Sequence, residues 1–334
     1  MSELIAFWAS FAASALFAGP VLKGLIALKS RQNVYNLAPE THQKKQGTPT
    51  MGGLIILLGL VVGTLVADQD WKVCLWVLGF ALIGFADDFI VPRLMKGKRG
   101  LGWKQKLLPQ AVLAVLAAPV FHLHWDAWTV GVSAFVVLFY CNAYNFADGL
   151  DGMAGTLGIL ICFGLDFLGT FLREPFPHMP LTALLGAIIP FLFLNAPPAR
   201  VFMGDVGSLP IGALFGAASS VLMFGHYRSG FALGAPGNDS AHMLVPVLIL
   251  SFVMIAELVP VPMQVAYFKL TKKRLFPMTP IHHSFEVKGW PESRVVWTFI
   301  LAQLLLLYLA LGVNITFINQ RTHELNALNL GVQR

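Results

Sequence analysis

Apolar runs of roughly membrane-spanning length recur along the whole chain, near residues 4–28, 51–67, 71–87, 107–121, 127–146, 153–172, 179–195, 207–225, 242–267 and 294–318. Runs of this length read as membrane helices. The sequence therefore predicts an all-α polytopic membrane protein with ten transmembrane helices in one integral membrane domain over 1–334. Composition agrees, since only 12% of residues are charged and 56% are hydrophobic, whereas about a quarter of a soluble domain is charged. Cys74, Cys141 and Cys162 stand singly in apolar segments and read as small core hydrophobes, with no disulfide framework or zinc site.

Charge sets the expected orientation. The first run has no basic residues before it, and Lys23 and Lys29 come at its far end, the reverse of a signal peptide, so it reads as a retained span with the N-terminus outside. Ten spans then return the C-terminus to the outside and put loops 29–50, 88–106, 147–152, 196–206 and 268–293 inside. With Arg294 at the last edge, those loops hold 17 of the 23 Lys and Arg. The net charge of +6 is thereby assigned to cytoplasmic loops and anionic headgroups, and nucleic acid is not expected as a partner.

The inner ends of the spans collect acids. A carboxylate beside hydrocarbon costs several kcal/mol, on the order of what a metal, cation or water must offset, so such residues are functional candidates. Asn142 to Gly152 carries Asn145, Asp148 and Asp151. On a continuous helix Asn145 and Asp148 share a face, with Asp151 one step around it. Asp87 and Asp88 end another run, and Asp205 opens a third, with Asn195 and the pair His282 and His283 on the same side. One acid alone reads equally well as a helix cap or a group reaching for headgroups. Five at the inner ends of several segments demand a cation, and hard oxygen donors suit Mg²⁺ better than zinc.

Local spacing gives further expectations. Neighbours on an α-helix diverge by about 100°, so Asp87 and Asp88 are expected not to face one ligand together, one acting on a proton or metal while a nearby lysine holds the other. The Gly204–Ser208 stretch opens an apolar run, where free backbone N–H groups would meet a phosphate or an ordinary cap would form. Arg93, Lys96, Lys98, Arg99, Lys104 and Lys106 are mostly topological, with at least one expected to neutralise phosphate. Beside Pro280, the two histidines are placed to bind phosphate or transfer protons. Glu257 is followed by Pro260 and Pro262, which predicts a broken ninth helix bordering a groove. Asp166 in the sixth span reads as packing.

The stretches Gly47–Gly53, Phe85–Asp88, Asn142–Gly152, Val201–Ser208 and Pro280–Glu286 together resemble, in order, the motifs of the phospho-N-acetylmuramoyl-pentapeptide transferase family, bacterial translocase I. The wider superfamily of polyprenyl-phosphate N-acetylhexosamine-1-phosphate transferases shares the Asp-Asp and Asn-x-x-Asp elements. The resemblance implies transfer of phospho-MurNAc-pentapeptide from UDP-MurNAc-pentapeptide to undecaprenyl phosphate with Mg²⁺, giving lipid I and UMP for peptidoglycan. It also implies a homodimer in the bacterial inner membrane with its active site on the cytoplasmic face.

Carried onto this sequence, Asp205 matches the metal ligand and Asp87 and Asp88 the catalytic acidic pair, with His282 beside them. Lys45, Thr50, Lys106, Asn145, Asp148, Asp151, Asn195, Phe202 and His283 match the nucleotide-sugar and phosphate site. Ser284 stands where the family usually has a third histidine, and Val91 where a basic residue often follows the acids. The expectation is that the histidine is dispensable and that another base covers the charge. The nearest alternative is a transferase of GlcNAc 1-phosphate from UDP-GlcNAc to a polyprenyl phosphate. A transporter would place its acids near the bilayer midplane, and here they gather at inner ends.

Overall fold

In the computed structural model, residues 1–28, 47–68, 70–95, 100–171, 176–224 and 241–332 are described, and every regular element among them is helical. The helices are α1 (Ser2–Ala27), α2 (Gly53–Ala67), α3 (Trp71–Phe85), α4 (Trp103–Val115), α5 (Ala127–Ala147), α6 (Met153–Gly169) and α7 (His178–Asn195). After them come α8 (Asp205–Phe224), α9 (Ala241–Leu250), α10 (Phe252–Leu258), α11 (Pro260–Thr271), α12 (Ile281–Val287) and α13 (Glu292–Val332). Seven stretches are long and apolar enough to cross a membrane, and α2 and α6 are shorter apolar helices. The protein is thus a multi-pass membrane protein.

The bundle is organised around α8, which is buried on nearly every side. Helices approach it closely because small residues line the crossings. A Cβ on Gly212 would fall on the Tyr140 and Cys141 backbone of α5, one on Gly216 on Val137, and Gly207 faces Gly53 of α2 without a side chain between them. In hydrocarbon no hydrophobic force drives helices together, so close backbone packing and polar contacts do that work. Ser14 of α1 donates to the Ile55 carbonyl of α2 at 3.0 Å, and Ser10 donates to Ala183 of α7 at 2.5 Å. Large apolar side chains such as Leu82, Phe135, Phe193, Leu305 and Tyr308 point outward, where lipid would receive them.

Three runs depart from uninterrupted helices. The run over 107–121 divides into α4 and a short turn, Ala117–Val120. That over 242–267 divides at Ser251 and Val259, yet both joints keep right-handed helical dihedrals. Pro260 and Pro262 therefore remove two backbone donors and notch the helix without unwinding it. The run expected over 71–87 continues past α3 as a π-helical turn, Ala86–Ile90, and a further helical turn, Val91–Leu94.

Candidate active site

The π-helical turn determines the site. Both Asp87 and Asp88 lie on it, and their carboxylates and that of Asp205 each place an oxygen within 4.8 Å of the others. The expected divergence of the acidic pair is thus overturned: on this turn of π-helix both carboxylates gather with that of Asp205 at the start of α8. Such bulges recur at functional sites.

The first turn of α8 holds the acids. Asp88 Oδ2 accepts from the Val206 N–H at 3.2 Å, and the Gly204 N–H is donated to Asp148. Of the two readings of this stretch the capping one holds, since those two N–H groups are taken by carboxylates and are not free for phosphate. Negative charge at a helix N-terminus also meets the positive end of its dipole. Gly204 has φ +72°, and a Cβ there would collide with Asp88 Oδ2 and Thr50 Oγ1, so glycine is required both by conformation and by space.

Asp205 is held on both oxygens. Its Oδ1 accepts from Asn145 Nδ2 at 2.7 Å, and its Oδ2 forms an ion pair with Lys106 from the start of α4. Asn145 Nδ2 also reaches Ser208 Oγ at 2.8 Å, which fixes the amide. Burial works against the Lys106 ammonium, but the charge of Asp205 and its hydrogen bond win, and the pKa is raised. Among the described residues, Lys106 is thus the base that meets the acids. Arg93 instead bonds the Leu28 carbonyl and covers Phe89 at 4.1 Å, while Val91 is buried. The Leu101 N–H donates to Asp87 Oδ1 at 2.7 Å.

The helix ends where the expected span over 127–146 meets the loop 147–152, so the shared face that a continuous helix would give does not extend to Asp151. Helix α5 stops at Ala147, and Gly152 at φ +73° turns the chain into α6. Asn145 faces Asp205, Asp148 lies at the C-terminal cap, and Asp151 turns away to accept from the Ala199 N–H at 2.9 Å. Asn195 is buried, accepting from Gly152 N–H at 3.1 Å and donating to the Val201 carbonyl at 2.9 Å. These two residues brace the loops on which Asp148 and Phe202 sit. Phe202 pairs by backbone with Pro49 and Gly52, at 2.9 and 2.7 Å, which brings the half-buried Phe202 ring and Thr50 to the same end. Lys45 lies outside the described residues.

Burial first, then the charge of Asp205, pushes Asp148 well above the ordinary carboxylate range, only partly offset by the Gly204 N–H. A folded-state pKa above the unfolded one means the stability this group contributes is present at low pH and lost as pH rises through the folded value. Asp148→Asn is therefore expected to raise the thermal midpoint at neutral pH in EDTA, with the gain vanishing below about pH 4; an equal or lower midpoint at neutral pH would contradict it.

His282 is fully buried, with Nδ1 2.8 Å from Glu257 Oε2 on α10. His283 pairs with Glu286 at 2.7 Å. Ser284 exchanges hydrogen bonds with the Met278 backbone, so the residue standing in for a third histidine closes the loop leading into α12. Glu257 and Ser208 were not read as site residues from the sequence: nothing in their spacing marks partners 25 and 63 residues away. Asp166 pairs with His178 at 2.8 Å.

Three carboxylates on one side of a lysine form an oxygen-rich donor set that suits a hard divalent cation and lacks the soft or imidazole ligands of a zinc site. Residues 71–223 match Glycosyl transferase family 4, and residues 45–57 match signature 1 of the phospho-N-acetylmuramoyl-pentapeptide-transferases. The phospho-N-acetylmuramoyl-pentapeptide-transferase of Heliobacterium modesticaldum is 36% identical over 328 residues, covering 90% of this chain and 95% of its own length. That of Bacillus subtilis is 34% identical over 331 residues, covering 91% and 95%, and that of Staphylococcus epidermidis 35% over 306, covering 84% and 88%. Similarity of this degree over nearly the full length means that the chain belongs to the phospho-N-acetylmuramoyl-pentapeptide-transferase family.

Proposed function

We propose that this protein transfers phospho-MurNAc-pentapeptide from UDP-MurNAc-pentapeptide to undecaprenyl phosphate, releasing UMP and forming lipid I. The observation that carries the reading is the convergence of Asp87, Asp88 and Asp205 on Lys106 at one end of the bundle, in a chain of this family. A lipid phosphate oxygen bonds to the β-phosphorus while the bond from that phosphorus to the bridging oxygen breaks, and UMP departs with that oxygen. Little covalent chemistry is required of the protein, so positioning and electrostatics dominate.

The residues divide the task. Asp87, with Asp88 beside it, helps keep the lipid phosphate deprotonated, and Lys106 draws the diphosphate toward Asp205. Asp205, oriented by Asn145, would hold Mg²⁺ with the acidic pair close by. When bound, that ion neutralises charge on the diphosphate and the leaving UMP. Thr50, Asp148, Phe202 and His283 are assigned to the nucleotide sugar, as is Lys45 on the family resemblance alone, while Asp151 and Asn195 support the loops behind them. His282 meets a substrate oxygen.

The same reading places the acids on the cytoplasmic face, with ten spans and both termini outside, supported by the bias of Lys and Arg toward the loops on that side. The homodimer rests on the family resemblance alone. Purified protein in detergent is expected to release UMP from UDP-MurNAc-pentapeptide only with undecaprenyl phosphate and Mg²⁺, and EDTA should stop it. Comparable UMP release from UDP-GlcNAc would replace this reading with the GlcNAc-1-phosphate alternative.

A further inference from the structure

Glu257 is a fully buried carboxylate within the interrupted membrane segment formed by α10 and α11. Such a group persists only with a partner or a task. Among the described residues its one hydrogen-bond partner is His282: Oε2 lies 2.8 Å from Nδ1, while Oε1 has none. With Glu257 ionised it can only accept, and Nδ1 then carries the hydrogen. The ring is further fixed by His283, with centroids 4.1 Å apart, and by the edge of Phe299 at 6.5 Å.

That leaves the opposite edge. His282 Nε2 is buried with no hydrogen-bond partner among the described residues, and it sits against Gly149, where a Cβ would strike it. Gly149 follows Asp148 in the acidic loop, so the unmatched nitrogen is aimed at the part of the site next to the residues assigned to the nucleotide sugar. A buried polar atom without a partner is costly, on the order of 1–3 kcal/mol, and here it is retained at the ring position that lies against Gly149.

We infer that Glu257 is a positioning residue for the transfer: it fixes the tautomer and orientation of His282, keeping Nε2 as the ring position that meets a substrate oxygen beside Gly149. Glu257 itself touches no substrate and acts only through the ring, as carboxylates behind ligating or catalytic histidines do. The inference rests on the transferase reading above, in which His282 serves the reaction.

The test combines a spectroscopic and a kinetic readout on the full chain in detergent. With ¹⁵N-labelled histidine, and His282 signals identified by their loss in His282→Gln, the wild-type ring should show a protonated Nδ1. Glu257→Ala should lose that signature, and Glu257→Gln, whose amide oxygen still accepts from Nδ1–H, should keep it. In UMP release, Glu257→Ala should lower kcat about 10- to 100-fold and leave KM for UDP-MurNAc-pentapeptide within about twofold. Glu257→Gln should recover much of the loss, and Glu257→Ala added to His282→Gln should cost nothing more.

Unchanged His282 signals in Glu257→Ala, or an equal further loss in the His282→Gln background, would overturn the inference. Should Glu257→Ala not fold, loss of the Nδ1-protonated signal in Glu257→Gln would overturn it equally. If wild type releases no UMP, the transferase reading fails, while the nitrogen signals still decide whether Glu257 sets the ring.

Discussion

Asp205→Asn is expected to lower UMP release by about 10³-fold or more while leaving a folded, detergent-stable protein. The substitution keeps the shape of the side chain, and the amide oxygen can still accept from Asn145, 2.7 Å away. What disappears is the charge opposite Lys106 and the hard anionic oxygen of the proposed metal ligand. Lys106 is not stranded by this, because it also lies in the field of Asp87. Stability is expected to hold or rise, since three carboxylates gathered within 4.8 Å repel one another. The thermal midpoint in EDTA should therefore match or exceed wild type while turnover collapses. Activity above about a tenth of wild type would remove Asp205 from the metal-binding role, given the size of effect expected of such a group.

The parts of this architecture that depend on composition along the chain were legible in the sequence. Long apolar runs dictate helices, and acids at their ends are too costly to be incidental, so Asp87, Asp88, Asp148 and Asp205 could be picked out from their placement alone. What depended on one residue of register, or on tertiary pairing, was not. Over the five residues Ala86–Ile90 a π-helical step leaves no distinct hydrophobic period, so the shared facing of Asp87 and Asp88 could not be read. Nor does a loop with six bases reveal that Lys106 turns inward while Arg93 turns to Leu28.

Asp151 and Asn195 carry the same polar groups as Asp148 and Asn145, yet their hydrogen bonds with the Ala199, Gly152 and Val201 backbone brace the loops. The distinction comes from where α5 ends, which is set by the turn at Gly149 to Gly152 rather than by the periodicity before it. In the ninth segment Pro260 and Pro262 announced a break, but the surrounding dihedrals stay helical. Removing two donors interrupts hydrogen bonding without forcing the chain to unwind, and Glu257 stays buried where it meets His282.

Gly84→Ala is expected to cost about 10²-fold in kcat, although Gly84 carries no chemistry. Gly84 lies at the end of α3, one turn before Asp87 and Asp88, and a Cβ there would fall on the Asp205 carbonyl and the Val206 nitrogen. Those are backbone atoms at the start of the central helix, so neither side can yield by a rotamer change. The added carbon must push α3 from α8 by an amount on the order of 1 Å, a displacement large enough to cost two decades in rate. The same shift lengthens the 3.2 Å hydrogen bond from Val206 N–H to Asp88, so the acidic pair separates from Asp205 and the cap on α8 weakens together. Overpacking of this kind destabilises by about 1–3 kcal/mol, and UMP release should therefore be measured beside thermal unfolding at a temperature where the variant is folded. Gly131→Ala on α5, which would meet nothing within 4 Å, is the control and should keep wild-type kcat. If Gly84→Ala also keeps it, the close approach of α3 to α8 does not govern the rate, and the three carboxylates need not act as one unit.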